Sequence, residues 1–520
     1  MSSTTIKQDE YVQGPIKWLI VITAGLGAIL EVIDTSIVNV ALTDIQASLG
    51  ATINEVGWVV SGYGIANVIL IPLSAWLGFY FGKKNYFIFS LIGFTVASVI
   101  CGISANLTML ILFRILQGLF GGGLLAKGQS IIFETFPPSE QGIAQAIFGV
   151  SVIAGPAIGP TLGGYLTDEL GWRWIFFVNL PFGILAIVMA WLFLPNDVKH
   201  ALNAKLPKVD WWGIIFLAIS VGCLQTVLAE GEHNDWFNSR FICNLTVFCT
   251  VFLALLIWRE LTFSSPAVDL RVLRYRSLAA GSIYSGILGI GLYGTLFIVP
   301  VFAQSILGFS ATQTGFLLAP GAFSSAIIMI LLGKISNKFD PRLFIGIGAI
   351  GSALVLFDMA NITPQTSADN LYWPLVMRGG VTVLMFLPLS LATMGGLAKQ
   401  DIPAGSGFYN LTRQLGGSLG IAILTNLLQQ RIAFHTAILS ASMTPYDLST
   451  NQRIQALNWF FQYQGMDSNT ASRQALSVAA ETIYTQASVL SFADIFRVVG
   501  VMFIVSMPLL FFLGKGKGKR

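Results

Sequence analysis

Charged residues are scarce in this chain of 520 residues: only 10% are Asp, Glu, Lys or Arg, whereas 54% are hydrophobic. A soluble domain carries about 25% charged residues, so the composition excludes an ordinary soluble protein. The chain has only three histidines and four cysteines, and they lack the spacing of a metal site. The sequence therefore argues against metal chemistry, and its net charge of +4 calls for no nucleic-acid partner.

Long apolar runs make up much of the chain. A membrane-spanning helix needs about 20 consecutive apolar residues. The runs lie at 18–42, 56–80, 86–104, 107–130, 142–166, 174–194, 211–230, 240–260, 278–303, 314–333, 343–360, 372–396, 405–429 and 496–513. They predict fourteen spans in an all-α polytopic membrane protein. With the N-terminus inside, 19 Lys and Arg residues fall in inner connections and 6 in outer ones. This split predicts that both termini are cytoplasmic.

Two acidic residues, Glu31 and Asp34, lie inside the first apolar run. A carboxylate in mid-membrane costs about 2.5–3.5 kcal/mol on insertion scales, so such residues are rare and usually functional. Their spacing of three places both on one helical face, and close carboxylates disfavour double ionisation. We therefore expect one of them to take up and release protons. The alternative is that either acid caps a helix end or faces a watery vestibule without titrating usefully.

Arg114, in the fourth run, cannot discard its charge and needs an anionic or carbonyl partner. Asp34 and Glu31 are the candidates. If the two spans move relative to one another, the proton affinity of the acid changes, as a proton-driven pump requires. The alternative is a permanent structural ion pair.

Other polar residues of the spans are predicted to serve the substrate cavity or its gating: Asn39, Gln117, Lys127, Asn410, Arg413 and Gln414. Lys127 is long enough to snorkel towards the cytoplasm. Asn410, Arg413 and Gln414 form a polar patch that is either a gating bond between two halves or part of the cavity. Arg378, near the outer boundary, is predicted to be structural.

An internal repeat divides the chain. A short basic loop with Gly82, Lys83 and Lys84 follows the second run, and a second loop with Gly333, Asn337 and Arg342 follows the tenth. The repeat predicts a six-helix bundle over 1–195, a linker with two extra helices over 196–276, and a second six-helix bundle over 277–520. Repeated halves are typical of secondary transporters, whose site lies at midplane between them.

The fifth run contains the string GPAIGPTLGG, with Gly155, Gly159 and Gly163 four residues apart and Gly164 at its end. This spacing creates a groove in which another helix can approach closely. Pro156 and Pro160 remove backbone donors and can bend the helix. The string predicts a helix that rocks against its neighbour.

The chain resembles the major facilitator superfamily, and within it the fourteen-span drug:proton antiporters of the DHA2 group. The resemblance rests on VIDTSIVNVAL in the first run, LFRILQG in the fourth, GPAIGPTLGG in the fifth and WRWIFFVNLPFG at 172–183. The long outer segment 430–495 resembles that of the EmrB type. This segment is otherwise either a tolerated insertion or a docking surface for an extracytoplasmic partner.

The resemblance implies a multi-pass protein of the bacterial inner membrane that exports amphipathic, often aromatic compounds, with a proton gradient and no cofactor. It further implies a periplasmic membrane-fusion adaptor of the EmrA type and an outer-membrane channel of the TolC type. A proton-coupled uptake symporter of the same fold and an exporter without an adaptor are the alternatives. No catalytic motif is present, so an enzyme is not expected.

The chain departs from its group in two respects. Phe79 stands where the first cytoplasmic loop usually carries Asp, and Asn337 occupies the matching place in the second half. Glu31 and Lys127 stand where Gln and an apolar residue are expected, and we expect them to bias substrate charge or proton count.

Overall fold

The computed structural model describes residue 12 and residues 14–196, 209–232, 234–263, 266–336, 338–444 and 446–513. Within these ranges the α-helices are α1 (Ile16–Val40), α2 (Leu42–Leu49), α3 (Ile53–Phe81), α4 (Lys83–Gly102), α5 (Leu107–Gly121), α6 (Leu124–Thr135), α7 (Gln141–Leu170), α8 (Trp174–Phe177), α9 (Asn179–Phe193), α10 (Trp211–Glu230), α11 (Arg240–Thr262), α12 (Arg276–Ser305), α13 (Ala311–Ile335), α14 (Pro341–Met359), α15 (Ala368–Met394), α16 (Ile402–Ser442), α17 (Leu448–Tyr463) and α18 (Ser468–Ser506). The described part of the chain contains no strand, which confirms the predicted all-α class.

Twelve of the described segments are long and apolar enough to cross a membrane, and α7 makes a thirteenth if its bent halves are one span. The bend of 42° in α7 lies between Pro156 and Ile158, where proline removes backbone donors. The remaining predicted span is the inner part of α16, which carries Asn410, Arg413 and Gln414. The count of fourteen spans and the cytoplasmic termini stay predictions.

Two of the predicted spans have features that the sequence did not indicate. The fourth run is one candidate span, Leu107–Thr135, but it is interrupted, because α5 ends at Gly121 and α6 begins at Leu124. The last run belongs to a much longer helix, since α18 starts at Ser468 and continues through Ser506 into a 3-10 turn, Met507–Phe512. The segment 430–495 is therefore mostly the continuation of α16 and α18, with α17 between them.

The connections beside α17 are held by capping residues. Asp467 caps α18 and accepts from the backbone of Asn469 and Thr470, as helix N-termini favour. Asp447 caps α17, and hydrogen bonds from Ser449 and Thr450 lower the pKa of its carboxyl to about 2. Asp447 therefore stays charged, and its cap intact, in mildly acidic surroundings.

Corresponding helices make corresponding contacts in the two halves. α1 packs on α7 as α12 packs on α16, α3 packs on α5 as α13 packs on α15, and α4 packs on α9 as α14 packs on α18. The halves meet where α7 packs on α13 and where α3 packs on α16. Helices α10 and α11 pack on each other, and α10 lies against α3. We call the end of the bundle that holds Ile16 and Lys83 the inner end, and the opposite end the outer end.

Helix α1 packs closely against the glycines of α7. A Cβ on Gly155 would meet Val32, one on Gly159 would lie 1.9 Å from Ser36 Oγ, and one on Gly163 would lie 2.9 Å from the Ile37 carbonyl oxygen. The close approach therefore joins α7 to the helix that carries the two acids. In the second half, a Cβ on Gly416 of α16 would lie 2.1 Å from the Gly286 carbonyl oxygen of α12.

We expect Gly163→Ala to lower the thermal stability of the purified protein, since its methyl group would meet the backbone of α1. A glycine-to-alanine change inside a helix otherwise stabilises by about 1 kcal/mol. Gly64→Ala is the matched control, because a Cβ on Gly64 in α3 would meet nothing within 4 Å. Unfolding temperatures of the two variants in detergent should move in opposite directions. Equal shifts would contradict the packing described here.

Candidate functional site

An ion pair between Asp34 and Arg114 lies at the centre of the first half. Arg114 Nη1 is 2.5 Å from Asp34 Oδ2, and both side chains are 0% exposed. The pair joins α1 to α5, and Arg114 Nε also donates to the Val59 carbonyl oxygen of α3 at 3.0 Å. Three helices thus meet at one guanidinium.

Amide groups complete the coordination of the Asp34 carboxylate. Gln117 Nε2 and Asn179 Nδ2 each donate to Asp34 Oδ1 at 2.9 Å. Gln117 also accepts from Arg114 at 2.8 Å, and the Tyr63 ring lies 4.1 Å from the guanidinium carbon. Asp34 thus has a partner on each carboxylate oxygen, whereas Arg114 Nη2 is buried without a hydrogen-bond partner.

Glu31 has a separate set of partners, one turn towards the inner end. Its Oε1 accepts from Asn67 Nδ2 at 3.0 Å, and its Oε2 accepts from the Leu125 backbone N–H at 2.8 Å. Leu125 lies in the first turn of α6, whose free N–H groups attract an anion. The break after Gly121 thus creates the helix end that Glu31 caps.

The predicted acid pair is therefore two sites with different partners. Asp34 binds a cation and two amides, whereas Glu31 caps a helix end, which is the alternative that the sequence left open for either acid. Which of the two acids takes up and releases protons stays a prediction.

Hydrogen bonds near the inner end join the two halves. Gln129 of α6 donates to Ser390 Oγ of α15 at 2.8 Å and accepts from Asn410 Nδ2 of α16 at 2.6 Å. Ser406 Oγ donates to the Ala126 carbonyl oxygen at 2.7 Å. Arg413 donates to Asn410 Oδ1. We call this group the inner lock, and it includes Asn410 and Arg413 of the predicted polar patch.

A central cavity of about 60 Å³ lies between the halves, against α7, α12, α13 and α15. Its wall is mainly apolar, with Val152, Leu292, Leu318 and Leu375 among the lining residues, and Pro156 of the α7 string also faces it. Arg378 lines it too, and its Nη1 is buried without a hydrogen-bond partner. Arg378 therefore lies at the cavity wall, and its predicted structural role stays a prediction.

A second, larger cavity of about 520 Å³ opens at the inner end, and we call it the inner vestibule. Lys127 lines it and is only 1% exposed, so it does not snorkel to the surface. Its ammonium group fits against Gly78, where a Cβ would lie 2.0 Å from Nζ. Phe79, which replaces the expected acid, also lines this space.

The basic loops make contacts within and between the halves. Lys83 pairs with Glu134 at the end of α6, and Lys84 donates to the Trp191 carbonyl oxygen at 2.7 Å. Both lysines directly follow Gly82, whose φ of +87° is a backbone conformation that favours glycine.

The second-half loop behaves differently. A Cβ on Gly333 would lie 2.6 Å from Ala146 Cβ, so α13 and α7 approach closely here. Arg342 donates to the Leu513 carbonyl oxygen. Asn337 lies outside the described residues.

Three predicted cavity residues lie elsewhere. Asn39 is exposed at the outer end of α1, and its amide donates to the Thr35 carbonyl oxygen. Gln117 belongs to the Asp34 site, and Gln414 is half-buried in α16, away from the two cavities above.

Asn67, Gln129 and Asn179 were not singled out from the sequence. All three are amides inside apolar runs, where polar side chains are scarce. This scarcity is the feature of the sequence that could have identified them as functional candidates.

Two repeated helix groups, a buried ion pair and a cavity between the halves define a membrane transporter. Residues 24–421 match the model of the Major Facilitator Superfamily. The chain therefore belongs to this superfamily, as the sequence predicted, and the prediction that it is not an enzyme is confirmed.

Curated relatives cover nearly the whole chain. The multidrug export protein EmrB of Escherichia coli strain K12 is 32% identical over 508 residues, which are 98% of this chain and 97% of that protein. The fatty acid resistance protein FarB of Neisseria gonorrhoeae is 30% identical over 493 residues, which are 94% and 95% of the two chains. The predicted resemblance to the EmrB type is thus confirmed. The predicted location in a bacterial inner membrane agrees with these findings.

A solved structure has the same fold. The proton:xylose symporter XylE bound to 6-bromo-6-deoxy-D-glucose superposes with a TM-score of 0.62 at 14% identity, covering 97% of each chain. At this identity the similarity concerns the fold alone.

We expect Arg114→Met to destabilise the protein strongly, since removing one partner of a buried ion pair costs about 3–5 kcal/mol. The double variant Arg114→Met/Asp34→Asn should be more stable than Arg114→Met alone, because it leaves no unpaired charge. Thermal unfolding of both variants and of Asp34→Asn alone in detergent measures the coupling. Additive effects of the two substitutions would contradict a direct pair.

Proposed function

We propose that this chain is a multidrug efflux antiporter that uses the proton gradient and works by alternating access. The observation that carries the proposal is the fully buried Asp34–Arg114 pair in a two-half transporter whose curated relatives include multidrug export proteins. An ionisable residue inside a membrane that has a specific counter-charge is typical of proton relays.

In the proposed cycle, a proton from outside binds Asp34 after a conformational change has opened a path to it. Protonation removes the charge that holds Arg114 and weakens the tie between α1 and α5. Because α1 packs along the glycines of α7, and α7 packs on α13 of the second half, a shift of α1 reaches the interface between the halves. The proton then leaves towards the cytoplasm as the ion pair forms again.

The gradient supplies enough energy for such a cycle. One charge moving inward across 100 mV is worth about 2.3 kcal/mol, and one pH unit adds about 1.4 kcal/mol. A single proton per drug molecule therefore sustains a concentration ratio of roughly several hundredfold.

The central cavity is the proposed drug site. Its volume of about 60 Å³ in this arrangement is below the range of about 300–1,000 Å³ of small-molecule sites, so the halves have to move apart before a drug-sized compound fits. The apolar wall suits an amphipathic or aromatic body. The free donor of Arg378 offers a partner to an anionic group on the compound.

The inner lock is the proposed inner gate. Its bonds through Gln129 join α6 to both α15 and α16, so they must break before the cavity opens to the cytoplasm. Arg413, stacked 5.0 Å from Phe386, holds Asn410 in place for this contact.

A periplasmic adaptor and an outer-membrane channel complete the proposed pump, which resides in the inner membrane. The support is the outer extension formed by the ends of α16 and α18 together with α17. It exposes large aromatic side chains, with Tyr446 96%, Trp459 74% and Tyr463 94% exposed. Aromatic residues are enriched in protein interfaces.

We expect Asp34→Asn to abolish proton-driven dye export from proteoliposomes while dye binding persists, because the amide cannot exchange a proton. The assay imposes an acid gradient and follows dye movement in both orientations, which also separates export from uptake. Glu31→Gln is the matched control, since it removes an acid from the same helix and should slow export without uncoupling it. Proton-coupled export that survives in Asp34→Asn would refute the assignment.

We expect Arg378→Gln to raise the KM for anionic amphipathic drugs about tenfold or more, in line with the loss of a charge-assisted hydrogen bond. The KM for neutral drugs of similar size should hardly change. Transport rates measured over a series of matched anionic and neutral compounds test this. An equal loss for both classes would indicate that Arg378 acts only on folding.

A further inference from the structure

Two buried carboxylates lie at the inner end of the inserted helix pair, in a part of the protein that the transport cycle above does not use. Asp210 caps α10, and its Oδ1 accepts from the Gly213 backbone N–H at 3.0 Å. Glu260 lies in the last turn of α11, and its Oε2 accepts from the Val268 backbone N–H at 3.1 Å. Both side chains are 0% exposed.

The second oxygen of each carboxylate has no hydrogen-bond partner. Asp210 Oδ2 and Glu260 Oε1 are both buried and unpaired. Both face one point, since a Cβ on Gly213 would lie 2.8 Å from Asp210 Oδ2 and 2.9 Å from Glu260 Oε1. The absent side chain of Gly213 thus leaves a small cradle with an unsatisfied acceptor on each side.

The charges around the cradle do not balance. Arg259 Nε donates to Asp210 Oδ1 at 2.9 Å, so one positive charge faces two negative ones. Asp269, in the connection that follows α11, is a further acid of this region. A buried charge without a counter-charge is costly, and carboxyl groups at such places bind a proton instead.

A proton fits this place better than a metal ion. Calcium takes six to eight oxygen ligands and magnesium demands octahedral coordination, whereas the cradle offers two free oxygens. Over the described ranges, no group of three or more His, Cys, Asp or Glu side chains is arranged to hold a metal. One added proton turns one acceptor into a donor and leaves Arg259 balanced by a single carboxylate.

We propose that Asp210 and Glu260 hold one shared proton, at a binding site separate from Asp34, and that this proton fixes the wall of the inner vestibule. The proton sits on one carboxyl oxygen and is donated to the facing oxygen of the other group. No bond other than O–H is made or broken. The site does not depend on the proposed function and is filled from the solution at the inner end.

The connection between α11 and α12 links this site to the inner vestibule and to the start of α16. Val268, which donates to Glu260, lines the inner vestibule together with Ala267 and Asp269. The same connection leads to Tyr275, whose hydroxyl donates to Asp401 Oδ2 at 2.8 Å just before α16. Loss of the proton places two carboxylates face to face, which loosens the Val268 contact and the wall that it belongs to.

The decisive experiment compares amide hydrogen exchange of the full-length protein and Glu260→Gln at the same pH values. Glutamine has the shape of the protonated acid and keeps an oxygen for the Val268 N–H. We expect equal exchange in peptides covering residues 266–272 at mildly acidic pH, and severalfold faster exchange in the wild type at alkaline pH. Comparison at equal pH removes the intrinsic pH dependence of exchange.

Asp340→Asn is the matched control, because it removes an exposed acid of another inner connection, which caps α14 by accepting from the Arg342 backbone N–H. It should keep the alkaline loosening of the wild type. Infrared spectra give a second measurement: a protonated carboxyl band that is present in the wild type and in Asp34→Asn should be absent in Glu260→Gln. Equal exchange of wild type and Glu260→Gln at both pH values, or a band that persists in Glu260→Gln, would overturn the proposal.

Discussion

A charge that lies within a membrane has to find its partner inside the protein, because hydrocarbon supplies neither water nor counter-ions. In this chain the constraint acts most strongly at Arg114, whose guanidinium is 0% exposed. Asp34 from α1, the Val59 carbonyl from α3 and the ring of Tyr63 all converge on it. One cation thus fixes the relative positions of three helices, and Asn179 adds α9 through the same carboxylate.

Two kinds of surface hold the halves together. Along α7 and α13 the contact is close and built on small residues, with Gly333 against Ala146 and Gly315 against Thr161. Near the inner end the contact is polar and runs through Gln129. A close apolar seam tolerates sliding and tilting, whereas directional hydrogen bonds are either made or broken. The combination suits a protein that changes between a few defined arrangements.

The sequence predicts the architecture well because hydropathy, loop charge and the repeat each report independently on membrane crossings. It also identifies Asp34 and Arg114, since charges are conspicuous in an apolar run. It fails for Gln129 and Asn179, because an amide in a span gives a weak signal and its partner lies on a distant helix. Glu31 could not be understood from the sequence, since its partner is a backbone N–H created by the break in the fourth run. The continuity of segment 430–495 with the adjoining spans was not predicted, because the polar outer extensions of α16 and α18 lack the hydropathy of a span.

Three successive glycines, residues 121–123, interrupt one membrane crossing and divide it into α5 and α6. The outer helix, α5, carries Arg114. The inner helix, α6, carries Gln129 and the Leu125 N–H group that donates to Glu31. Gly122 itself lies close to α3, because a Cβ there would be 2.2 Å from the Asn67 carbonyl oxygen. A single interrupted crossing thus offers the neighbouring helix two different partners for its acids, a guanidinium for Asp34 and a backbone N–H for Glu31.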